Sequence, residues 1–370
     1  MTLKKTSHII IFSYSKSFDY YKIGGLESFY RRIGNILSEV GCQVSFVFYG
    51  SDENKLYKIT DSIFLRYFKD FYHSLEFLRA EASLVLDNYM LKKHRLAYAL
   101  FRIKHQKLIY FGHIFAGIPA SLQKKIIYIS QKTVPYNGPV ISLSYTIHNN
   151  LLKFGITTDV MLPPLPQSYN LPTIKKDHRL KLTFMGRFDD HKGIQEVVNL
   201  FQNISDNKFP VDLHINGYFG HGQINKGKLE KSFDSISNLE VQTQVWEKWS
   251  PQIDGHVIKL LQSTDILVLP YRDLKGTMDP PLLILEGMAC GCTILTTDVG
   301  SVKEFYGDSK FICDHSNFIE NAYNIISGII LDRQILDDEK KRVAKKVQLL
   351  QNNKQSVVEC LVNQYRDIDV

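Results

Sequence analysis

The sequence has few cysteines, few tryptophans and no long apolar run, and these shortages exclude several classes of protein. Its five cysteines are scattered over 370 residues and odd in number, which excludes a disulfide scaffold and favours free thiols in a reducing cytoplasm. Cys290 and Cys292 are one residue apart, unlike the two-residue spacing of a zinc or redox pair. No apolar run approaches the ~18 residues of a membrane span. The apolar stretch near the start is too short and polar for a signal peptide, so we interpret it as a buried strand.

Two kinds of catalytic motif are also missing. No Ser-His-Asp or Cys-His arrangement can be identified, and no paired acidic motif offers a metal site. The sequence therefore predicts neither a covalent nucleophile nor a metal or other cofactor.

Positive charge is concentrated in the first half of the chain. The net charge is +7, and residues 1–165 carry 21 Lys and Arg against 11 Asp and Glu, whereas residues 166–370 carry 24 against 27. A basic half can contact an anionic membrane or a phosphorylated lipid, and residues 89–106 have the composition of a basic amphipathic helix. The same pattern fits a solvated basic face and an ordinary crossover helix. Both interpretations stay open, and no nucleic-acid partner is predicted.

Strand and helix patterns alternate along both halves, which predicts an α/β fold with mainly parallel, doubly wound sheets. A length of 370 residues indicates two domains, and four prolines within 162–172 mark a linker. We therefore predict a Rossmann-like domain over residues 1–165 and a linker over 166–178. A second Rossmann-like domain follows over 179–370, with a final helix that can cross back to the first domain.

Residues 264–305 have the pattern strand, loop, helix, strand (TDILVLPYRDLKGTMDPPLLILEGMACGCTILTTDVGSVKEF). Asp279 is positioned to cap the helix, Pro280 suits its first turn and Gly291 can end it in the left-handed conformation. A helix that starts at the carboxyl end of a parallel strand directs free N–H groups into a crevice. This predicts an anion site, and a nucleotide diphosphate is the natural ligand.

Within this stretch, DPPLLILEGMACGCTILTTDVGSVKE resembles the donor-binding signature of family 4 glycosyltransferases. The resemblance implies the GT-B fold, with two Rossmann-like domains facing across a cleft and C-terminal helices. It also implies that residues 1–165 bind the acceptor, that residues 179–370 bind the sugar nucleotide, and that the transfer is retaining and usually metal-independent. The family signature usually has two glutamates eight positions apart, one near the sugar and one at the ribose. Glu286 matches the second, but Met278 stands at the first, with Asp279 displaced by one residue.

The resemblance assigns several of these residues to the donor. Glu286 lies in an apolar helix turn and, if buried, needs hydrogen-bond partners. Two ribose hydroxyls would satisfy it, as the resemblance implies, and so would a buried base. Pro281 and Leu282 are predicted to line the donor site. Asp279 is predicted to hold sugar hydroxyls as a catalytic residue, and its capping role stays open.

A second segment, FMGRFDDHKG, places two cations near a predicted strand end at Gly186 and before the helix that follows Gly193. Arg187 can bridge two phosphate oxygens and Lys192 is a compact point charge, so both suit a diphosphate leaving group. In the alternative interpretation, Arg187 and Lys192 are surface cations that form ion pairs with Asp189 and Asp190. The similar family motif favours donor binding and a catalytic role.

The first half contributes a glycine pair and two strand-end residues. Gly24 and Gly25 follow the first strand and open a helix, so their backbone can approach a phosphate, although an ordinary turn has the same pair. The family's glycine-rich loop favours a donor site here. The resemblance places His113 near the transferred sugar or acceptor, as a catalytic or acceptor-binding residue. A structural role for this histidine stays open, and Asp87 is the rival acceptor contact.

The sequence therefore predicts a retaining glycosyltransferase of the hexosyltransferase type. It would move a sugar from a UDP- or GDP-linked donor to a carbohydrate or lipid-linked acceptor, in bacterial surface polysaccharide biosynthesis. The expected location is the cytoplasm, with contact at the inner face of the membrane. A sugar-nucleotide epimerase or hydrolase and a catalytically silent sugar-nucleotide-binding partner are the alternatives.

Overall fold

The structure is a computed structural model that describes residues 8–12, 19–82, 84–87, 108–111, 140–153, 155–165, 179–219, 224–243, 248–275, 277–350, 355 and 357–361. The chain forms two compact units. The first contains Met1–Pro164, Thr277–Asp279 and Asn352–Val370, and the second contains Leu165–Gly276 and Pro280–Gln351. The predicted basic helix over 89–106, the linker over 166–178 and His113 lie outside the described residues.

The first unit is a mainly parallel sheet with helices. Its strands are β1 (His8–Phe12), β2 (Gln43–Tyr49), β3 (Lys55–Lys58), β4 (Ile63–Phe68), β5 (Leu84–Asp87), β6 (Leu108–Phe111), β7 (Val140–Ser142) and β8 (Asp159–Val160). Its described helices are α1 (Gly25–Glu39), α2 (Phe71–Glu81) and α3 (Tyr145–Leu152). The strand order is β3-β4-β2-β1-β5-β6-β7-β8, and only the β3–β4 pair is antiparallel.

The order of this sheet reverses at β1, whose neighbours are β2 on one side and β5 on the other. Ligands of open α/β sheets bind at the carboxyl ends of the strands at such a switch point. Phe12 and Asp87 are paired residues at the ends of β1 and β5. The backbone of Asp87 therefore lies at the switch point, while its side chain is not among those described.

The hairpin β3–β4 and helix α2 were not predicted from the sequence. All four residues of β3 are exposed, so the strand lacks the alternation of apolar and polar residues on which a sequence prediction depends. Asp70 caps α2 by accepting a hydrogen bond from the His73 N–H at 2.9 Å.

The second unit is an entirely parallel sheet with helices. Its strands are β9 (Leu180–Phe188), β10 (Val211–Phe219), β11 (Leu239–Thr243), β12 (Ile266–Leu269), β13 (Thr293–Thr297) and β14 (Ile312–Cys313). Its helices are α4 (Ile194–Asp206), α5 (Lys226–Asp234), α6 (Pro251–Gln262), α7 (Leu282–Ala289), α8 (Val302–Tyr306), α9 (Phe318–Leu331) and α10 (Gln334–Leu350).

The order β11-β10-β9-β12-β13-β14 is that of a doubly wound nucleotide-binding sheet. Each pair in it is parallel. The switch point lies between β9 and β12, the first and fourth strands of the unit. The predicted α/β fold with doubly wound sheets is confirmed.

Burial explains the apolar runs of this unit. All four residues of β12 and all five of β13 are buried, as expected for strands covered by helices on both faces. Asp265, which directly precedes β12, is only 2% exposed and pairs with Lys340 of α10 at 2.6 Å. Arg333 lies 3.7 Å from the other oxygen of Asp265. This buried ion pair connects α10 to the central strand.

Two boundaries of the sequence analysis were wrong. Strand β9 does not end at Gly186 but continues to Phe188, because β10 pairs with it as far as that residue, so Arg187 lies within the strand. Asp279 does not cap α7, and Pro280 is not in its first turn, because the helix has Pro281 at its N-cap and begins at Leu282. A residue before a proline is disfavoured in the helical conformation, and two consecutive prolines therefore delay the helix.

The predicted end of α7 is confirmed, since Gly291 has a φ of 84° directly after the helix. Within the described ranges, no helix is both long and apolar enough to cross a membrane.

Helix α4 approaches the end of β12 at Gly193. This residue has a φ of 71°, and an added Cβ would overlap the carbonyl oxygen of Pro270 and lie 2.9 Å from its carbonyl carbon. Only glycine allows this contact between the two sides of the switch point.

We therefore expect Gly193→Ala to destabilise the fold by about 2–4 kcal/mol, because it adds both a left-handed alanine and a backbone overlap. Gly255→Ala is the matched control. Gly255 lies within α6 with no atom near its Cβ position, and alanine there should stabilise by about 0.5–1 kcal/mol. Urea denaturation of both variants checks this, and equal effects would contradict the proposed close approach.

Candidate active site

The loops after β9 and β12 meet at the switch point of the second sheet. The chain leaves β9 through Asp189 and a 3₁₀ turn, Asp190–Lys192, before α4 begins. The Arg272 N–H, after β12, donates a hydrogen bond to the His191 carbonyl oxygen at 3.0 Å. The two loops are therefore fixed to each other by their backbones.

Asp189 contacts both of the predicted donor-site cations, Arg187 through its side chain and Lys192 through its backbone. It is 7% exposed, and its carboxylate forms an ion pair with the Nε of Arg187. The other carboxylate oxygen accepts the backbone N–H of Lys192 at 2.8 Å. In the alternative interpretation of the sequence, the two cations form ion pairs with surface acids. Arg187 does pair with Asp189, but Asp189 is buried and also fixes the backbone of the turn.

Lys192 carries its charge in a partly buried position. Its Nζ lies 4.8 Å from the centre of the Tyr271 ring, the distance of a cation–π contact. Burial, followed by the positive charge of Arg187, lowers the pKa of Lys192 to about 8, and the carboxylates of Asp189 and Asp273 oppose this shift only in part. Arg187 and Lys192 therefore place two positive charges close together in a partly buried site, and such charges favour the binding of an anion.

A second layer of ion pairs supports the loop. Arg272 binds Oε1 of Glu196, in the first turn of α4, through its Nε at 2.7 Å and its NH2 nitrogen at 2.6 Å. His191 Nδ1 lies 3.1 Å from Asp273. These pairs join the start of α4 to the segment after β12, so they position the turn that carries Lys192.

The sequence analysis did not identify Tyr271, Arg272 or Glu196. Tyr271 and Arg272 follow the predicted strand ILVLP directly, so their place at a strand end was a usable signal. The partnership of Arg272 with Glu196 joins residues 76 positions apart, which no local pattern reveals.

Glu286 lies in the same region of the second unit. It is 8% exposed on α7, as predicted for an acid within an apolar helix. Burial raises the pKa of the Tyr271 phenol, and the charges of Glu286 and Asp189 add to the shift. Glu286 also adds to the effect of burial that raises the pKa of Cys290 to about 12. Pro281 and Leu282 are buried at the start of α7.

Met278 and Asp279 are buried residues of the first unit. The tripeptide Thr277–Asp279 belongs to the first unit, where Asp279 is 2% exposed and Met278 is 6% exposed. The Cβ of Met278 lies 3.9 Å from the position that a Cβ would take on Gly25. The methionine at the position of the expected acid is therefore a buried apolar neighbour of the glycine pair.

The glycine pair of the first unit opens α1 as predicted. Gly24 is the extended N-cap residue and provides no side-chain cap, and its carbonyl oxygen accepts the Ser28 N–H at 2.9 Å. Gly25 is the first helical residue. Asp87 is described by its backbone alone and His113 not at all, so their assignment to the acceptor stays a prediction.

The sequence of the second unit matches a known family. Residues 172–350 match the family model described as glycosyl transferases group 1. The chain is a glycosyltransferase with the GT-B fold. A comparison with the curated proteins finds no match to the chain.

Solved structures resemble this glycosyltransferase over nearly its whole length. A glycosyltransferase from Rickettsia africae is 14% identical, with a TM-score of 0.65 and coverage of 98% of each chain. A trehalose-phosphate synthase (UDP-forming) from Burkholderia vietnamiensis is 10% identical, with a TM-score of 0.65 and coverage of 98% of this chain and 97% of that one. S. aureus TarM, in a complex with fondaparinux, alpha-GlcNAc-glycerol and UDP, is 9% identical, with a TM-score of 0.64 and coverage of 97% and 99%. At these identities the similarity establishes the fold.

Among the parts of the glycosyltransferase that the structure describes, no group of three His, Cys, Asp or Glu side chains could hold a metal ion. The expectation that it needs no metal or other cofactor stays a prediction.

The low pKa of Lys192 can be tested directly. Arg187→Ala removes the second-largest cause of the shift, so the pKa of Lys192 should rise from about 8, while burial still keeps it below its ordinary value. Asp273→Asn should move the pKa in the opposite direction, because it removes a charge that raises it. NMR titration of isotopically methylated lysines would measure both. Shifts of the same sign in the two variants would contradict this account.

Proposed function

We propose that this glycosyltransferase is a retaining enzyme of family 4 and the hexosyltransferase type. It transfers a sugar from a UDP- or GDP-linked donor to a carbohydrate or lipid-linked acceptor. The observation that carries the proposal is the pair of cations, Arg187 and Lys192, at the switch point of a nucleotide-binding sheet. The donor-signature resemblance around Glu286 adds to it.

Arg187 and Lys192 suit the leaving diphosphate in different ways. Because Asp189 takes the Nε of Arg187, the guanidinium is held in one orientation, with terminal N–H groups for two phosphate oxygens. The Lys192 ammonium is partly desolvated over Tyr271, and a bound diphosphate would favour its charged form. When the bond between the sugar and the diphosphate breaks, both cations stabilise the growing negative charge.

Glu286 and the start of α7 provide the rest of the donor site in this proposal. The Glu286 carboxylate accepts hydrogen bonds from the two ribose hydroxyls, as the resemblance implies. Pro281 and Leu282 form the apolar start of α7 beside the donor. Gly186 contributes its backbone, since it has a φ of 145° near the end of β9 and a Cβ there would meet only the Phe184 ring, at 3.8 Å.

The first unit contributes the remaining residues. Gly24 and Gly25 offer backbone N–H groups to a donor phosphate. Asp279 holds sugar hydroxyls, Asp87 and His113 contact the acceptor, and His113 orients the reacting hydroxyl. These assignments rest on the family resemblance and on the place of Asp87 at a strand end.

The setting follows from charge and from similar proteins. The basic first half supports a cytoplasmic enzyme at an anionic inner membrane surface, acting on a lipid-linked acceptor in bacterial surface polysaccharide biosynthesis. UDP is the nucleotide named for TarM and for the trehalose-phosphate synthase, so UDP-sugars are the first donors to test.

One observation favours a second candidate, a catalytically silent sugar-nucleotide-binding partner. Met278 is buried where the family signature has an acid near the sugar. Donor binding without turnover across an acceptor panel would support this candidate. An epimerase or hydrolase would instead convert the donor without any acceptor.

The main test combines a donor screen with substitutions. Arg187→Ala, Lys192→Ala and Glu286→Ala should each lower sugar-nucleotide turnover by about 10²-fold or more, since each substitution removes a charged side chain of the proposed donor site. Lys231→Ala is the control, because Lys231 is an exposed cation on α5 of the same unit. Turnover is measured with the nucleotide sugar that gives the largest thermal stabilisation. Wild-type turnover in all three variants would overturn the proposal.

Donor affinity should also depend on pH through Lys192. The protonated amine binds the diphosphate, and its pKa in the free protein is about 8, so affinity should fall as pH rises through that value. Lys192→Arg keeps the charge at all these pH values and should remove the dependence. Calorimetric titrations with the best nucleotide between pH 7 and 9.5 compare the two proteins. An equal pH dependence in both would exclude Lys192 as its origin.

A further inference from the structure

The glycine turn of the first unit already holds an anion of its own, the side chain of Glu27. Glu27 is the third residue of α1 and is 7% exposed. Its Oε2 lies so close to Gly24 that any Cβ on that residue would overlap it. A negative group therefore covers the positive end of α1, where the free N–H groups lie.

No ion pair to Glu27 is seen among the described residues. The charged groups around it are Lys22, Arg31 and Asp19. The Arg31 guanidinium donates to the carbonyl oxygens of Tyr20 and Lys22, at 2.6 and 3.0 Å, and to the hydroxyl of Ser28 at 3.0 Å. Burial raises the pKa of Glu27, and these cations only partly counter it. The carboxylate is thus buried without a direct counter-ion.

We propose that Glu27 is an internal anion that controls binding at the Gly24–Gly25 turn, and that a phosphate group binds there only with protonation of this carboxylate. The proposal rests on the proposed function, because it assigns a phosphate to this turn. It makes Glu27 a positioning and specificity-determining residue. Binding of the phosphate takes up a proton from solvent, which neutralises the carboxylate as the second anion arrives.

The physical reason is the competition of two anions for one helix end. A phosphate and a carboxylate in contact repel each other, and the repulsion is strong where water is excluded. The helix end favours one negative charge, from either the carboxylate or the ligand. Without a ligand, the Glu27 carboxylate lies at this helix end, against the extended backbone of Gly24.

Glu27→Gln separates the charge from the capping role, because glutamine keeps the size and an accepting oxygen. The variant should bind inorganic pyrophosphate roughly five- to tenfold more tightly than wild type, since it lacks the repulsion. Titration calorimetry at pH 6.5, in two buffers of different ionisation enthalpy, should show proton uptake in wild type and a reduced uptake in Glu27→Gln. Lys192 stays protonated at this pH. The comparison of wild type with Glu27→Gln is repeated in the Lys192→Ala background, to remove pyrophosphate binding at the second unit.

The outcomes are distinct. A purely structural cap predicts a lower melting temperature for Glu27→Gln with unchanged pyrophosphate affinity and proton uptake, and this would overturn the inference. Weaker binding would also overturn it and would indicate a carboxylate that accepts hydroxyl donors. Absence of pyrophosphate binding in the Lys192→Ala background would also overturn the inference. In that case, sugar-nucleotide turnover that depends on Arg187 would still support the proposed function. Conversely, tighter binding in Glu27→Gln without turnover on any nucleotide sugar would support the inference and refute the proposed function.

Discussion

Asp189 fixes the geometry on which the candidate active site depends. Its buried carboxylate pairs with Arg187 on β9 and accepts the backbone N–H of Lys192 in the following turn. One acid therefore orients one cation and sets the backbone that carries the other. Burial and the positive charge of Arg187 lower the pKa of Lys192 to about 8, and Asp189 and Asp273 oppose this shift only in part.

The sheet of the second unit brings these groups together. In the order β11-β10-β9-β12-β13-β14, the carboxyl ends of β9 and β12 lie at the switch point, and the loops that follow them meet there. Gly193 lets α4 start against Pro270, and the pair Arg272–Glu196 joins the same two segments by their side chains. Backbone contact and charge thus hold the two loops together, as the preorganisation of a transition-state-stabilising site requires.

The two units differ in the charge beside a helix start. In the second, Arg187 and Lys192 lie before α4, and Asp189 and Asp273 oppose only part of the fall in the pKa of Lys192. In the first, the side chain of Glu27 lies against Gly24 at the start of α1, and Arg31 donates to backbone carbonyl groups. In our proposals, the second unit binds the leaving diphosphate directly, and the first binds a phosphate group only when its own carboxylate is neutralised.

The sequence by itself determined the fold class and identified most residues of the candidate donor site. Alternating strand and helix patterns, together with the motifs around Arg187, Lys192 and Glu286, depend on local spacing, and local spacing is visible in a sequence. Exact boundaries were less accessible. Pairing with β10 extends β9 past Gly186, and the Asp-Pro-Pro sequence delays α7 and so removes the cap expected from Asp279.

Only the tertiary structure decided which residues act together. The contact of Lys192 with Tyr271, the pairing of Arg272 with Glu196 and the grouping of Met278 with Gly25 all join segments distant in sequence. The exposed strand β3 carries no burial pattern, so its place at the sheet edge follows from pairing with β4 alone. Burial also decided the charge state, because the pKa of Lys192 depends on desolvation and on neighbours that folding places around it.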